Sequence, residues 1–404
     1  MIDTREELIA ALHEASEIEH GLLVQYLFAA LSLKKRLDEG LTAPQQALVR
    51  DWEGALLRVA VDEMGHLGTV CNLLTAIGGA PRLSRPNFPL DVGYYPFSFE
   101  LVPFSDRALY RLQVFELPRG FPQPPPPVET EAPLMDKMML AANVVPDPLV
   151  YGYVGELYEK IQRGFETLDE RVLFIGPPDA QSEDDWSADL DLRPVTDRAT
   201  ALLAIEDIIH DGEGSPAGDA NSHYARFTRI REAYARAGHF QAARAIVVNP
   251  QTRAHRESSG VGTLVTHPQA RAVSELFNAV YGVMLLLLQQ YFSFGGESAQ
   301  QREVVRSAAA RMMSVAIRPL NEVLTELPAT EDPADPRRAG PGFELYDDVS
   351  LPSHLPARWT LVLERLQSIV EEARRLGQEI PRIGTVGETL GFIRRSLAIA
   401  AKGG

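Results

Sequence analysis

One cysteine, Cys71, stands in 404 residues, so the chain can form neither an internal disulfide nor a thiolate-only metal site. Its apolar surroundings read as those of a small buried side chain, and a reducing, cytoplasmic location is the expectation. A basic excess is missing too. Lys and Arg number 39 against 55 Asp and Glu, a formal net charge of −16, so no nucleic-acid partner is expected. No apolar run reaches the ~20 residues that span a bilayer. The longest, Ala279 to Phe292 ("AVYGVMLLLLQQYF"), reads as a fully buried helix, and no membrane partner is expected. The opening "MIDTREELIAALHEA" has neither the positive nor the apolar region of a secretion signal. Alternating strand patterns are scarce and no repeat of fixed period is present.

What remains is helical. Residues 3 to about 37 place Leu8, Leu12, Ala15, Leu22 and Tyr26 at three- and four-residue steps, one buried stripe, with Thr4 and Glu7 as a capping box. A second helix runs from Ala43 to Ile77 and stops at "GGAP". The segment Pro81 to about Pro133 is rich in proline and aromatics. Its end, "GFPQPPPPVETEAP", is an extended connection, and a short helix lies near Asp106 to Leu117. Further helices are expected at Pro148 to Leu168, from Asp197 to the break "DGEGSPAGDANS", and on from "SHYARFTRIREAYAR". The last third adds Ala270 to Phe294, Glu297 to Glu326 and Pro356 to Gly377. The class is mostly α, with a bundle over residues 1–236 and a C-terminal helical extension over 237–404.

Two long helices carry charge on the side they should bury. Glu19 lies in the stripe of the first helix, and Glu63 and His66 share a face with Leu56, Val59, Leu67 and Val70. Burying a carboxylate without a partner is costly, so the expectation is a metal ion, a salt-bridge network, or a helix face that is not buried after all. A carboxylate from one helix and Glu-x-x-His from its neighbour make half of a carboxylate-bridged dinuclear site. The other half should come from later helices. In "VYGYVGELYEKIQRGF", Glu156 and Glu159 both sit off the apolar stripe of Val154, Tyr158, Ile161 and Phe165, but the glycines at 152 and 155 thin that side of the helix. Glu213, between glycines, and His223, in phase with Phe227, Ile230 and Tyr234, are preferred to the pair Glu206 and His210.

"EIEHGLLVQYLFAALSL" followed by "VDEMGHLGTVCNLLTAIGGAPRL" resembles the ferritin-like domain found in the iminophenyl-pyruvate dimer synthase family of violacein biosynthesis. In bacterioferritins, too, a ligand glutamate precedes Gln-Tyr at the spacing of Glu19 to Gln25-Tyr26. "VGELYEKIQRGF", "GEGSP", "SHYARF" and "AGPGFE" extend the resemblance over most of the chain. It implies a ferritin-like four-helix bundle with Glu19, Glu63 and His66 as ligands, joined by Glu156 or Glu159, Glu213 and His223. It departs from ferritins in lacking an obvious buried glutamate on the third helix and in separating the last Glu and His by a glycine-proline loop, which leaves open one metal or two. The family's synthase is a much longer chain, so its substrate is not inherited.

The resulting expectation is a non-haem metalloenzyme, with two iron ions or another divalent metal. It would use dioxygen to oxidise or couple a small-molecule substrate in secondary metabolism, and homo-oligomers are allowed. His20 reads as a polar core residue, and Tyr26 as core packing or an orienting group. Iron storage is disfavoured by the long extension. A metal-binding or partner-binding scaffold and a zinc-type hydrolase are the alternatives.

Overall fold

The computed structural model describes all residues except 1, 93–94, 96, 119–120, 128–153, 184–185, 187–189, 191, 213–219, 254–261, 294–295 and 404. Helix α1 (Arg5–Leu31) starts as its sequence dictates: the Thr4 hydroxyl accepts from the Glu7 amide and the Glu7 carboxylate accepts from the Thr4 amide. The Leu8, Leu12, Ala15, Leu22 and Tyr26 stripe is buried. From Ala15 onward nearly every position of α1 is buried, because other elements cover all its faces. The helix ends at Leu31, earlier than its periodicity suggests. Helix α2 (Ala43–Ala76) is capped by Thr42 and Gln45 and stops at Gly78, which adopts φ 79°.

Helix α3 (Asp106–Phe115) is capped by Ser105 and cannot run far past Glu116 because Pro118 follows. Helices α4 (Val154–Thr167) and α5 (Arg198–Asp211) close the four-helix arrangement: α4 packs on α1 and α5, and α5 packs on α2. Helix α6 (His223–Arg236), capped by Ser222, packs mainly on α3 and also touches α2. The fold is thus mostly α and ferritin-like, with an additional α3–α6 pair flanking the bundle. Among the described residues the strands are two parallel two-residue segments, Pro250–Gln251 and Thr263–Leu264.

The C-terminal part comprises α7 (Pro268–Phe292), α8 (Ala299–Met312), α9 (Arg318–Leu324), α10 (Leu355–Gly377) and α11 (Pro381–Lys402). Helix α7 is long and apolar enough to cross a membrane by length and composition, yet 72% of its most apolar window is buried inside the fold. It serves as the core helix of this part, against α8, α9 and α10. Pro319 lacks an amide hydrogen, and the chain passes from α8 to α9 through a π-helical turn, Met313–Ile317, just before it. Helix α11 is absent from the expectations above. Gly384, Gly387 and Gly391 weaken its sequence signal, but they let it approach α10 closely: a Cβ on Gly387 would lie 3.0 Å from that of Ala373.

Candidate metal centre

Two groups of buried side chains meet between α1, α2 and the α3–α6 pair. Glu19 of α1 and Glu63 and His66 of α2 bring ligand atoms within 4.8 Å of one another, and so do Glu63, Glu116 and His223. Glu63 belongs to both. Its Oε2 lies 3.3 Å from His66 Nδ1, and its Oε1 lies 3.0 Å from His223 Nδ1. Each group adds a second carboxylate: Glu19 Oε2 is 3.6 Å from His66 Nδ1, and Glu116 Oε2 is 3.6 Å from His223 Nδ1. The two imidazoles sit with ring centroids 5.6 Å apart.

The two carboxylates are held from behind in matching ways, the two imidazoles in different ones. The Tyr158 hydroxyl donates to Glu19 Oε1, and the Tyr26 hydroxyl donates to Glu116 Oε1. His223 Nε2 hydrogen-bonds Asp62 at 3.3 Å, a carboxylate partner of the kind that fixes an imidazole ligand and raises its basicity. His66 Nε2 stands 3.9 Å from Asp211, beyond hydrogen-bond reach, and is buried without a hydrogen-bond partner. The atoms left over are the informative ones. Glu19 Oε2, Glu116 Oε2 and His223 Nδ1 are buried and make no well-aligned hydrogen bond. Buried polar atoms are normally satisfied. These three point into the two groups, so the donor set fits cations of the kind that oxygen and imidazole ligands hold.

The electrostatics agree. Burial and the neighbouring Glu19 charge push the Glu63 carboxyl up to about 7. Burial works against ionised Glu19 as well, but hydrogen bonding and charge from His66 outweigh it and hold Glu19 below its ordinary value. Burial disfavours charged His66 and His223; the carboxylates around them outweigh it and raise both imidazoles well above the usual range. Without a cation these groups collect protons, which a bound metal would displace.

A cavity of about 20 Å³ adjoins the centre, lined by Leu22, Gly155, Ile208 and Ile209 beside Glu19, Glu63, His66 and Glu116. That is room for roughly one water-sized group. A larger cavity, about 160 Å³, lies behind His66 between α2 and α5, with Leu190, Arg193 and Pro194 as its roof. Asn72 secures this roof to α2: its side-chain amide donates to the Ser182 and Arg193 carbonyls and accepts from the Ser182 amide, at 2.8, 3.0 and 2.8 Å.

Of the residues expected from sequence, the fold brings together Glu19, Glu63, His66 and His223. Glu156 and Glu159 join neither group. Glu159 pairs with Arg163 on the surface of α4, and the residue α4 does send to the centre is Tyr158. The physical reason is phase: the stripe residue Tyr158 faces inward, and both glutamates lie beside that stripe at half-buried positions. Glu213 lies outside the described residues. Glu206 and His210 are exposed. His20 is buried but turned toward α7, where its Nε2 meets the Tyr281 hydroxyl, as a polar core residue does. Glu116 is the ligand candidate that sequence reading missed. Its signal was present, since it falls four residues after Leu112 and seven after Leu109, both buried. It stands next to the last residue of the expected short helix, two residues before Pro118.

Residues 12–232 match the family model described as ferritin-like, more than half of the chain. Dichlorochromopyrrolate synthase of Lentzea aerocolonigenes is 27% identical over 92% of this chain and 39% of its own length. The 2-imino-3-(indol-3-yl)propanoate dimerase of Chromobacterium violaceum is 28% identical over 93% of this chain and 37% of its own length. The chain therefore spans under two fifths of either relative. A solved ferritin-like protein from Caulobacter vibrioides aligns at TM-score 0.48 and 23% identity, over 76% of this chain and 96% of that one. With a family match from α1 into α6 and a bundle of the matching architecture, the chain belongs to the ferritin-like family.

Proposed function

We propose that this chain carries the catalytic centre of a secondary-metabolism enzyme that oxidises or oxidatively couples a small molecule, with two iron ions at the Glu19–Glu63–His66 and Glu63–Glu116–His223 positions and dioxygen as acceptor. The observation that carries this reading is the sharing of Glu63, which offers one oxygen to each group while each keeps one imidazole and one further carboxylate. Bound iron would supply Lewis acidity and electrons for dioxygen.

The chain's own residues supply the rest. Leu22, Ile208 and Ile209 wall the small cavity and limit water beside the centre. The hydroxyls of Tyr26 and Tyr158 hold one oxygen of Glu116 and of Glu19, leaving the other oxygen of each free to face inward. Asp62 orients the His223 imidazole. The name of one relative, a 2-imino-3-(indol-3-yl)propanoate dimerase, supports a substrate of the imino-acid type. Joining two such molecules by a carbon–carbon bond removes two electrons and two protons, so an acceptor is required, and dioxygen fits that need.

An anaerobic iron(II) titration followed by oxygen-uptake measurement tests the reading. Two iron per chain are expected, with uptake that depends on iron and on an added aromatic imino acid. Failure to bind metal favours a scaffold, and turnover with zinc without oxygen consumption favours a hydrolase; either result refutes the proposal.

A further inference from the structure

The two positions of the centre are not equivalent, although their donor sets match. His66 borders both the cavity of about 20 Å³ and the cavity of about 160 Å³, whereas the His223 imidazole borders neither, although Glu116 lines the smaller and Asp62 the larger. The His223 side chain is 0% exposed against 9% for His66. Their backing differs in the same sense. Asp62, behind His223, is gripped by Arg226 Nη1 at 2.6 Å, and α6 supplies both Arg226 and His223. Asp211, behind His66, is 59% exposed and stands at the last residue of α5.

We infer that the centre has one retained and one exchangeable position: a metal held by Glu63, Glu116 and His223 is locked in, and a metal held by Glu19, Glu63 and His66 is open to exchange and to small ligands arriving through the cavities. The inference rests on the dinuclear reading above. Release of a metal requires an incoming water or chelator to reach it and its ligands to swing away. The His66 side offers space for both. At the other position Arg226 and Asp62 hold His223 in place, and support of this kind alters metal affinity about 10–100-fold.

Cobalt(II) provides a probe independent of turnover. Protein loaded with two cobalt ions is mixed with an excess of a chromophoric chelator, and release is followed in time. Two phases of equal amplitude are expected, differing at least about tenfold in rate. His66→Ala should abolish the fast phase and His223→Ala the slow one. Arg226→Gln, at a partly exposed residue whose loss the fold tolerates better than that of buried His223, should speed the slow phase and leave the fast one unchanged. Azide should perturb the spectrum of two-cobalt protein but not that of protein stripped to its slow cobalt. A single release phase, loss of the slow phase in His66→Ala, an unaltered slow phase in Arg226→Gln, or an azide response from the slow cobalt overturns the inference. Binding of fewer than two cobalt ions by the unaltered protein instead sinks the dinuclear reading itself.

Discussion

Glu63 Oε1 lies 3.0 Å from His223 Nδ1, a contact between the middle of α2 and the first residue of α6. It ties the Glu-x-x-His motif of one bundle helix to an imidazole 160 residues away in sequence and makes Glu63 common to both ligand groups.

That sharing makes the ligand variants unequal. Glu63→Ala should abolish binding of both metals, whereas His66→Ala and His223→Ala should each retain one, as counted by metal analysis after gel filtration. Equal losses in all three would contradict a bridging role for Glu63. Far-UV circular dichroism should stay largely helical throughout, since most of the core is unaffected.

Glu116 should matter and the two α4 glutamates should not. Glu116→Ala is expected to lower metal content to one or fewer per chain, and Glu156→Ala and Glu159→Ala to leave it unchanged. Glu159 already has Arg163 as partner on the surface, so its loss should also change stability by less than about 1 kcal/mol. Metal loss in either α4 variant would restore the assignment that the fold argues against.

Removing a tyrosine hydroxyl strands a buried carboxylate oxygen. Tyr158→Phe, which leaves Glu19 Oε1 without its donor, should destabilise the metal-free protein by about 1–3 kcal/mol in urea unfolding. Tyr26→Phe should do the same through Glu116. An unchanged unfolding midpoint in both would mean that neither hydroxyl supports its glutamate in solution.

Acid should weaken the joint between the α1–α2 connection and the C-terminal part. Burial works against ionised Glu39, but Arg244 at 2.6 Å and the amides of Lys35 and Arg36 outweigh it and lower its carboxyl to about 2. A carboxyl lowered in the folded state adds stability above its unfolded value, and that contribution disappears as pH falls toward the folded value. The difference in melting temperature between the unaltered protein and Glu39→Gln should therefore be largest near about pH 6, shrink as pH falls below about 4.5, and vanish only below about pH 2. A constant difference across that range would contradict the ion pair.

Much of this molecule was readable before folding. Leu8, Leu12, Ala15 and Leu22 set the phase of α1, and the same phase places Glu19 inside; Leu56, Val59 and Val70 do so for Glu63 and His66. The capping box of Thr4 and Glu7 marks the start of α1. Periodicity was less informative where burial is nearly complete, as in the second half of α1, or where glycines interrupt the stripe, as in α11.

The donor half-site shows the boundary. Sequence alone determined a mostly helical chain with Glu19, Glu63, His66 and His223 facing inward, because helix geometry converts residue spacing into direction within one element. It did not determine which later carboxylate joins them. Glu116 falls in phase with Leu109 and Leu112 and Glu159 beside the stripe of α4, but it is the packing of α3 on α6, against α2, that brings Glu116 to His223 while α4 turns Glu159 to Arg163 and water. Spacing along a helix specifies a face; which faces meet depends on contacts between residues far apart in the chain, and those exist only once the tertiary structure has formed.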